Sequence, residues 1–341
     1  MDEREPLVIW GAGAMGGTFG AFLARAGEPV LLVDQVAEHV AAMNAQGLEL
    51  YGPEQNFVVP VRAVMPADLT GRYSRIALAV KAHHTEAAAR SLAPHLADDG
   101  FVLSLQNGLN ELVIADVVGL SRTMGCFINY SADYHAPGRI MYSNRGAVAV
   151  GEMDGAMTPR LADMHRLLKI LEPDAVATDN ITGYLWGKLA YGAQLVATAL
   201  TNASMTENFE HPRYLRVWTG IAREVMAVAA AQGIRPLGFN GFSPEAYLPG
   251  ASDEAAEKSV AALAEFNRHS AKSHSGIWRD LAVRKRRTEV PAQIGMITDI
   301  GAKVGVATPM IERLVALIVD IEDGRRPQDW TTLDQLLEVA P

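Results

Sequence analysis

The chain contains a single cysteine, Cys126, in 341 residues, which excludes an internal disulfide framework. One lone thiol suits a reducing compartment, where disulfides are rare. Cys126 lies in TMGCFINY, a strand-like run of mostly apolar and small residues. We therefore predict a buried core residue here rather than a catalytic nucleophile, which would need an accessible and activated thiolate.

The sequence also lacks an excess of basic residues. It has 39 acidic and 30 basic side chains, which give a formal net charge of -9 at pH 7. A nucleic-acid-binding protein needs a basic face to meet the phosphates. We therefore expect no nucleic-acid partner.

Long hydrophobic runs are missing as well. The longest apolar windows, such as LVATAL at 195–200, fall well short of the roughly 18 residues that a membrane-spanning helix needs. The first residues, MDEREPLVIW, have neither the basic start nor the long apolar stretch of a signal peptide. These absences predict no membrane partner and a cytoplasmic location.

The strongest positive signal lies in residues 7–35, which read as strand, glycine turn, helix and strand. Gly11, Gly13 and Gly16 stand in the order G-x-G-x-x-G, with Ala14 and Met15 between the last two. In a dinucleotide-binding turn the first glycine permits the tight turn, the second lets a pyrophosphate approach, and the third lets helix and strand pack closely. The helix amino terminus then offers N–H groups to the phosphates. These five residues are therefore predicted to bind a dinucleotide.

Asp34 closes the second strand, where a carboxylate can accept hydrogen bonds from the adenosine ribose of NAD and repel the 2'-phosphate of NADP. The following residues, QVAEHVAAMNAQ, contain no arginine or lysine that could neutralise such a phosphate. The sequence thus predicts NAD as the cofactor. A structural role as a turn-starting aspartate is the alternative for this residue.

Two more strand-like segments, RIALAVK at 75–81 and FVLSLQ at 101–106, flank a helix-like segment. This alternation predicts a doubly wound parallel sheet, in which ligands collect at the carboxyl ends of the strands. Lys81 and Asn107 are therefore expected to face the nicotinamide end of the cofactor, although Lys81 also fits a solvated strand-end lysine. His83 and His84 are adjacent and cannot both point into one site, so we assign no metal.

The predicted secondary structure changes along the chain. Residues 121–178 are rich in strands and turns and end in a helix and a short strand, whereas the pattern after Asp179 is almost wholly helical. Prolines and glycines at 233–250 mark a long loop in the helical part. We predict a dinucleotide-binding domain over 1–179 and an all-helical domain for substrate binding and dimerisation over 180–341.

Six motifs carry a family resemblance. They are GAGAMG at 11–16, VKAHHT at 80–85, QNG at 106–108, WGKL at 186–189, RRTEV at 286–290 and GVATP at 305–309. In this order and at about this spacing they resemble the ketopantoate reductase family, the 2-dehydropantoate 2-reductases, over nearly the whole chain. The resemblance implies an α/β Rossmann-type doubly wound sheet followed by an all-α domain, with the active site in the cleft between them. It also implies a nicotinamide-dependent oxidoreductase that acts on CH-OH groups.

The family's catalytic lysine matches Lys188, the one charge in the otherwise apolar or small run WGKLAYGAQ. Reduction of a ketone needs a proton at the developing alkoxide, and a partly buried ammonium can both supply it and stabilise the charge. A lysine that snorkels from a core helix to solvent is the alternative. Glu289 matches the family's active-site glutamate, with a surface carboxylate beside Arg286 and Arg287 as its alternative.

The departures from the family pattern concern the substrate. The family usually places asparagines four and eight residues after the lysine, where this chain has Gly192 and Val196. These replacements predict a substrate bulkier or less polar than ketopantoate. Ser275 lies near the family's substrate-contacting serine, but one residue more than usual separates Asp280 from Glu289. One side chain of the basic run 284–287 could bind an acid group if it turned inward, with a solvated basic face as the alternative.

Two other functions stay open at this point. The first is a dehydrogenase of the β-hydroxyacid type, which also uses a lysine between its domains, but whose usual glycine-rich approach to that lysine is missing here. The second is a non-catalytic NAD-binding sensor, for which retention of Lys81, Asn107, Lys188 and Glu289 would have no physical need. A small-molecule substrate is expected, while its identity, the direction of reaction and the oligomeric state are left open, with a homodimer as one option.

Overall fold

The computed structural model describes residues 4–239, 241–269 and 272–341. The chain divides into two compact units, Met1–Ile181 and Thr182–Pro341. Within the described ranges, no helix has both the length and the apolar character needed to cross a membrane.

The first unit combines strands and helices. Its strands are β1 (Leu7–Trp10), β2 (Val30–Val33), β3 (Leu48–Tyr51), β4 (Phe57–Val59), β5 (Ala63–Val64), β6 (Tyr73–Leu78), β7 (Leu96–Ser104), β8 (Thr123–Ile128), β9 (Ser131–Ala136), β10 (Arg139–Asn144), β11 (Val148–Glu152) and β12 (Val176–Ala177). Its helices are α1 (Ala14–Arg25), α2 (Ala37–Gln46), α3 (Thr85–Leu92), α4 (Asn110–Val118) and α5 (Pro159–Leu171).

Eight of the described strands form the main sheet, in the order β12-β11-β8-β7-β6-β1-β2-β5. Neighbouring strands in it are parallel, except that β8 and β11 are antiparallel. Helices cover both faces, which explains why β1 is apolar throughout. Its Leu7 and Ile9 belong to one core cluster and its Val8 and Trp10 to another. This arrangement confirms the predicted Rossmann-type fold.

The strand that carries Cys126 lies in the interior of the main sheet. Cys126 is fully buried in β8, as predicted. The strand predicted over 75–81 instead runs from Tyr73 to Leu78, so Lys81 lies three residues beyond its end. That displacement places Lys81 in the turn that follows the strand.

A second sheet, with the strand order β4-β3-β10-β9, was not anticipated. Helix α1 contacts β3, β9 and β10 of this sheet and also β1 and β2 of the main sheet. Glycines permit this double packing: a Cβ at Gly17 would lie 2.4 Å from Ile140 Cδ1, and one at Gly20 would lie 2.6 Å from Leu32 Cδ2. The helix that follows the glycine turn is therefore wedged between two sheets.

The second unit is built from helices. They are α6 (Ile181–Thr198), α7 (Met205–Glu210), α8 (Leu215–Ala231), α9 (Asp253–Arg268), α10 (Gly276–Trp278), α11 (Val290–Gln293), α12 (Met296–Val304), α13 (Pro309–Glu322) and α14 (Trp330–Leu337). Helix α8 is central, because it packs against α7, α9, α12, α13 and α14. Its Trp218, Ile221 and Val225 are fully buried. The all-helical character predicted for this part of the chain is confirmed.

Helix α6 lies directly against the backbone near Leu237. The Leu237 N–H donates to the Gly183 carbonyl at 2.9 Å. One turn further along, a Cβ at Gly187 would lie 2.0 Å from the Leu237 carbonyl oxygen. Gly187 is therefore required for this approach, and it sits next to Lys188.

We predict that Gly187→Ala destabilises the protein by roughly 1–3 kcal/mol, because the new methyl group would overlap the Leu237 carbonyl. Gly192→Ala, in the same helix, is the matched control. A Cβ there meets nothing within 4 Å, so removal of a helical glycine should stabilise the fold by about 0.5–1 kcal/mol. Denaturant unfolding would measure both changes, and equal stabilities of the two variants would contradict this account.

Candidate functional site

The three glycines of the turn after β1 each have a distinct structural reason. Gly11 has φ +100°, and a Cβ there would lie 2.9 Å from the Ala79 carbonyl group. A Cβ at Gly16 would lie 2.1 Å from the Gly11 carbonyl oxygen. Gly13 is the residue that precedes α1, and a Cβ there would meet nothing within 4 Å. The first and third glycines thus permit close packing, while the second leaves open space at the helix amino terminus.

The first turn of α1 contains Ala14 and Met15, the other two residues predicted to meet a dinucleotide. The Tyr130 hydroxyl donates to the Met15 carbonyl at 2.8 Å. Burial raises the pKa of Tyr130 well above its usual value, so the hydroxyl keeps its proton at neutral pH. The start of α1 is therefore tied to the segment that enters the second sheet.

Asp34 lies just beyond the carboxyl end of β2, and its carboxylate is held by two backbone groups. The Ala12 N–H donates to Oδ2 and the Val36 N–H donates to Oδ1, each at 2.9 Å. The second bond is the turn contact expected of the structural alternative. Each carboxylate oxygen can accept a further hydrogen bond. The turn role and a ligand-binding role are therefore compatible.

Negative charge gathers around Asp34. Burial, together with the carboxylates of Asp34 and Glu38, raises the pKa of Tyr134. The ring of Tyr134 in turn packs edge-to-face on His39, with 5.0 Å between ring centroids. A further anionic group placed here would meet two carboxylates, those of Asp34 and Glu38.

His39 is a residue of this region that sequence reasoning missed. Its ring is buried in α2, and Nε2 lies 2.8 Å from the Ala12 carbonyl oxygen. The Gly138 N–H donates to Nδ1 at 2.9 Å. No local pattern marks this histidine, because both of its partners are backbone groups far away in the sequence.

The carboxyl ends of β6 and β7 carry a polar network. Gln106 Nε2 donates to the Val80 carbonyl at 2.9 Å and to Thr85 Oγ1 at 2.8 Å. Thr85 Oγ1 donates to Asn110 Oδ1, and Asn110 Nδ2 donates to the Asn107 carbonyl. These bonds fix the backbone that carries Asn107, which is itself exposed. Sequence reasoning did not foresee the supporting roles of Thr85 and Asn110.

Lys81 is exposed and precedes a short 3-10 turn, Ala82–His84. Because β1, β6 and β7 are adjacent and parallel, Lys81 and Asn107 follow strands that end at the same edge as the glycine turn. The rings of His83 and His84 pack against each other at an angle of 59°, with 4.1 Å between the ring centroids. The described part of the chain contains no cluster of three or more His, Cys, Asp or Glu suited to a metal ion.

Lys188 lies on α6 and is partly buried, and its neighbours in the sequence, Leu185, Trp186 and Leu189, are buried. Gly192 and Val196 follow it at spacings of four and eight residues, which places all three on one face of the helix. Val196 is buried, and open space lies beside Gly192. The lysine therefore shares its face with the two positions where the family usually has asparagine.

Glu289 precedes α11 and is half-buried. Its Oε2 accepts a hydrogen bond from Gln293 Nε2 at 3.1 Å. The preceding residue, Thr288, is anchored by Glu322, whose Oε1 accepts from both the backbone N–H and the hydroxyl at 2.7 Å. The Glu322 side chain is 1% exposed. A buried carboxylate thus fixes the backbone next to Glu289.

The arginines of the basic run at 284–287 are engaged by carboxylates. Arg284 and Arg286 both pair with Asp280, at 2.9 Å. Arg287 pairs with Glu322 and Asp323. The side chains of Arg284, Arg286 and Arg287 remain 38%, 48% and 68% exposed, so a solvated basic face describes them, held in place by these ion pairs.

Ser275 is buried and caps α10, with its Oγ accepting the Trp278 N–H at 3.2 Å. A π turn, Arg279–Val283, follows directly, and the Arg284 N–H donates to the Arg279 carbonyl at 2.9 Å. A π turn holds one more residue than an α turn. It overlaps the start of the segment from Asp280 to Glu289, where the resemblance predicts one residue more than usual.

An open groove of about 550 Å³ lies beyond the carboxyl end of α6. Its lining residues are Asn202, Ala203, Glu207, Glu210, His211 and Trp330. The groove includes none of the residues predicted for the site, so we do not assign it to the candidate chemistry.

Comparisons with known proteins agree with this architecture. The family model described as ketopantoate reductase PanE/ApbA matches residues 7–155, and the model of the C terminal part of the same family matches residues 180–322. A 2-dehydropantoate 2-reductase from Mesorhizobium japonicum is 26% identical over 338 residues, covering 92% of this chain and 96% of that protein.

Two solved structures have the same fold. A PanE/ApbA family ketopantoate reductase from Ralstonia eutropha has a TM-score of 0.77 at 26% identity, covering 94% of this chain and 99% of that one. D-mandelate dehydrogenase has a TM-score of 0.79 at 24% identity, covering 94% and 98%. With both family models matched in order and relatives aligned over almost their full length, the chain belongs to the ketopantoate reductase family of oxidoreductases.

Proposed function

We propose that this protein is an NAD-dependent oxidoreductase that transfers a hydride between the nicotinamide and a carbonyl or secondary hydroxyl group of a small molecule. Its family membership supports the reaction class. The observation that carries the cofactor assignment is the glycine turn, in which Gly11 and Gly16 permit the close approach of backbone segments while Gly13 borders open space. A dinucleotide pyrophosphate needs that combination.

We assign residues to the pyrophosphate, the adenosine ribose and the nicotinamide end of the cofactor. The amino terminus of α1, with Gly13, Ala14 and Met15, would hold the pyrophosphate, and Asp34 would accept from the adenosine ribose. Lys81 and Asn107 would face the nicotinamide end. When bound, the cofactor supplies or accepts the hydride.

The proposed role of Lys188 is proton transfer. In reduction its ammonium would donate a proton to the oxygen that becomes the alcohol, and in oxidation the amine would take that proton back. Lys188 is partly buried, and reduced exposure to water strengthens the attraction between an ammonium and a developing alkoxide. Glu289, held beside the anchored Thr288, is proposed as the carboxylate that orients the lysine or substrate.

The proposed substrate is bulkier or less polar than ketopantoate. Gly192 and Val196 occupy the lysine's helix face and bring no hydrogen-bonding side chain to it. The open space beside Gly192 supports accommodation of a larger group. The neighbouring structure of D-mandelate dehydrogenase was determined with NADH and anilino(oxo)acetate, which makes NADH and aromatic 2-oxo acids natural first compounds to test.

The cofactor prediction concerns Asp34. The natural protein should prefer NAD(H) over NADP(H), and Asp34→Arg should shift the preference toward NADP(H) by removing a repulsive charge and adding a phosphate partner. Because Asp34 also holds the Ala12 N–H, Asp34→Asn serves as a control that removes the charge and keeps an acceptor. Specificity constants for both cofactors would test this, and a natural preference for NADPH would refute it.

The second prediction concerns Lys188. Lys188→Ala should lower turnover by roughly two to four powers of ten, the usual contribution of a positioned general acid, while cofactor affinity hardly changes. Lys188→Arg, which keeps the charge but cannot readily release its proton, should also be strongly impaired. Near-normal turnover by Lys188→Ala would contradict the proposed role of the lysine. Binding of NAD by the natural protein without turnover of any tested compound would favour the non-catalytic sensor function.

The third prediction concerns the substrate. Ketopantoate should be a poor substrate, since each polar group left unpaired in a buried site costs about 1–3 kcal/mol. Gly192→Asn should increase activity toward ketopantoate and reduce it toward larger compounds, with Gly192→Ala separating loss of space from gain of the amide. A panel of hydroxy and oxo acids would provide the specificity constants. Efficient reduction of ketopantoate by the natural protein would contradict the proposal.

A further inference from the structure

Ala12, inside the glycine turn, is held on both sides of its backbone. Its N–H donates to Asp34, and its carbonyl oxygen lies 2.8 Å from His39 Nε2. Asp34, just beyond the end of β2, and His39, in α2, therefore both fix the backbone of Ala12.

The hydrogen bonds define the tautomer of His39. The Gly138 N–H donates to Nδ1, so Nδ1 carries no proton. The proton of the neutral ring is then on Nε2, which donates it to the Ala12 carbonyl. Gly138 joins β9 to β10, so the buried ring links the glycine turn to the second sheet.

The orientation of the Ala12 carbonyl decides where the next amide points. In a planar trans peptide the C=O and the following N–H point in opposite directions. With its carbonyl bound to His39, the Ala12–Gly13 peptide must direct the Gly13 N–H away from His39. Gly13 is the residue that precedes α1 and borders open space.

We propose that His39 is a positioning residue that aims the Gly13 amide, and with it the first amides of α1, at the cofactor phosphates. This inference rests on the proposed function, because it assumes that a nicotinamide dinucleotide binds at the turn. It assigns the second sheet a part in cofactor binding, since the turn between its strands β9 and β10 supplies the Gly138 N–H that fixes the histidine tautomer.

Two variants separate the two hydrogen bonds of the ring. In His39→Gln the side-chain amide can replace Nε2 and donate to Ala12, whereas in His39→Asn the side-chain oxygen can replace Nδ1 and accept from Gly138. Dissociation constants for NADH and for ADP-ribose would be measured by fluorescence titration and calorimetry, alongside thermal unfolding. ADP-ribose keeps the pyrophosphate and lacks the nicotinamide.

His39→Asn should weaken both ligands by about three- to tenfold, the effect of one lost hydrogen bond, while His39→Gln should stay within about twofold. Val40→Ala, a buried change in the same helix, controls for general loss of stability and should leave both dissociation constants unchanged. Equal weakening by all three variants, or no weakening by His39→Asn, would overturn the positioning role. Failure of the natural protein to bind either NADH or NADPH would instead overturn the proposed function, and this inference with it.

Discussion

The first unit depends on the close approach of helix α1 to the backbone around it. A Cβ at Gly16 would lie 2.1 Å from the Gly11 carbonyl oxygen, and one at Gly17 would lie 2.5 Å from the Ala12 carbonyl oxygen. No other residue than glycine satisfies these distances without movement of the backbone. The helix can therefore bury one side on the main sheet and the other on the second sheet, and its amino terminus is fixed at the carboxyl end of β1.

Under the proposed function, this constraint places packing and cofactor binding at the same turn. The helix amino terminus has N–H groups without partners inside the helix, which is favourable for anions only if their direction is set. Asp34 and His39 set it from either side of Ala12, and Tyr130 holds the Met15 carbonyl. His39 and Tyr130, to which no ligand contact is assigned, thus help to determine the geometry that a ligand would meet.

The parts of the fold that the sequence could predict are those with local signals. The glycine turn, the alternation of strands and helices, and the burial of Cys126 follow from spacing and apolar pattern within short segments. The second sheet does not, because β3 pairs with β10, about 90 residues away, and short strands carry no mark of their partner. His39 was missed for the same reason, since both of its hydrogen-bond partners are main-chain groups on other elements.

Of the candidate site, the positions of Asp34 and Lys188 were predictable from their motifs, whereas the carboxylates that engage Arg284, Arg286 and Arg287 were not.

The second unit holds its candidate residues through contacts that do not depend on the side chains at positions 192 and 196. Gly187 keeps α6 against the Leu237 carbonyl, and Glu322 anchors the backbone beside Glu289. Both contacts involve main-chain groups, so they are insensitive to which side chains occupy positions 192 and 196. The π turn at Arg279–Val283 can absorb an extra residue within one helical turn, and the pairs of Asp280 with Arg284 and Arg286 tie its two ends together. The contacts that hold α6 and the Thr288 backbone would therefore be kept if polar side chains replaced Gly192 and Val196, which is the physical condition that the proposed change of substrate requires.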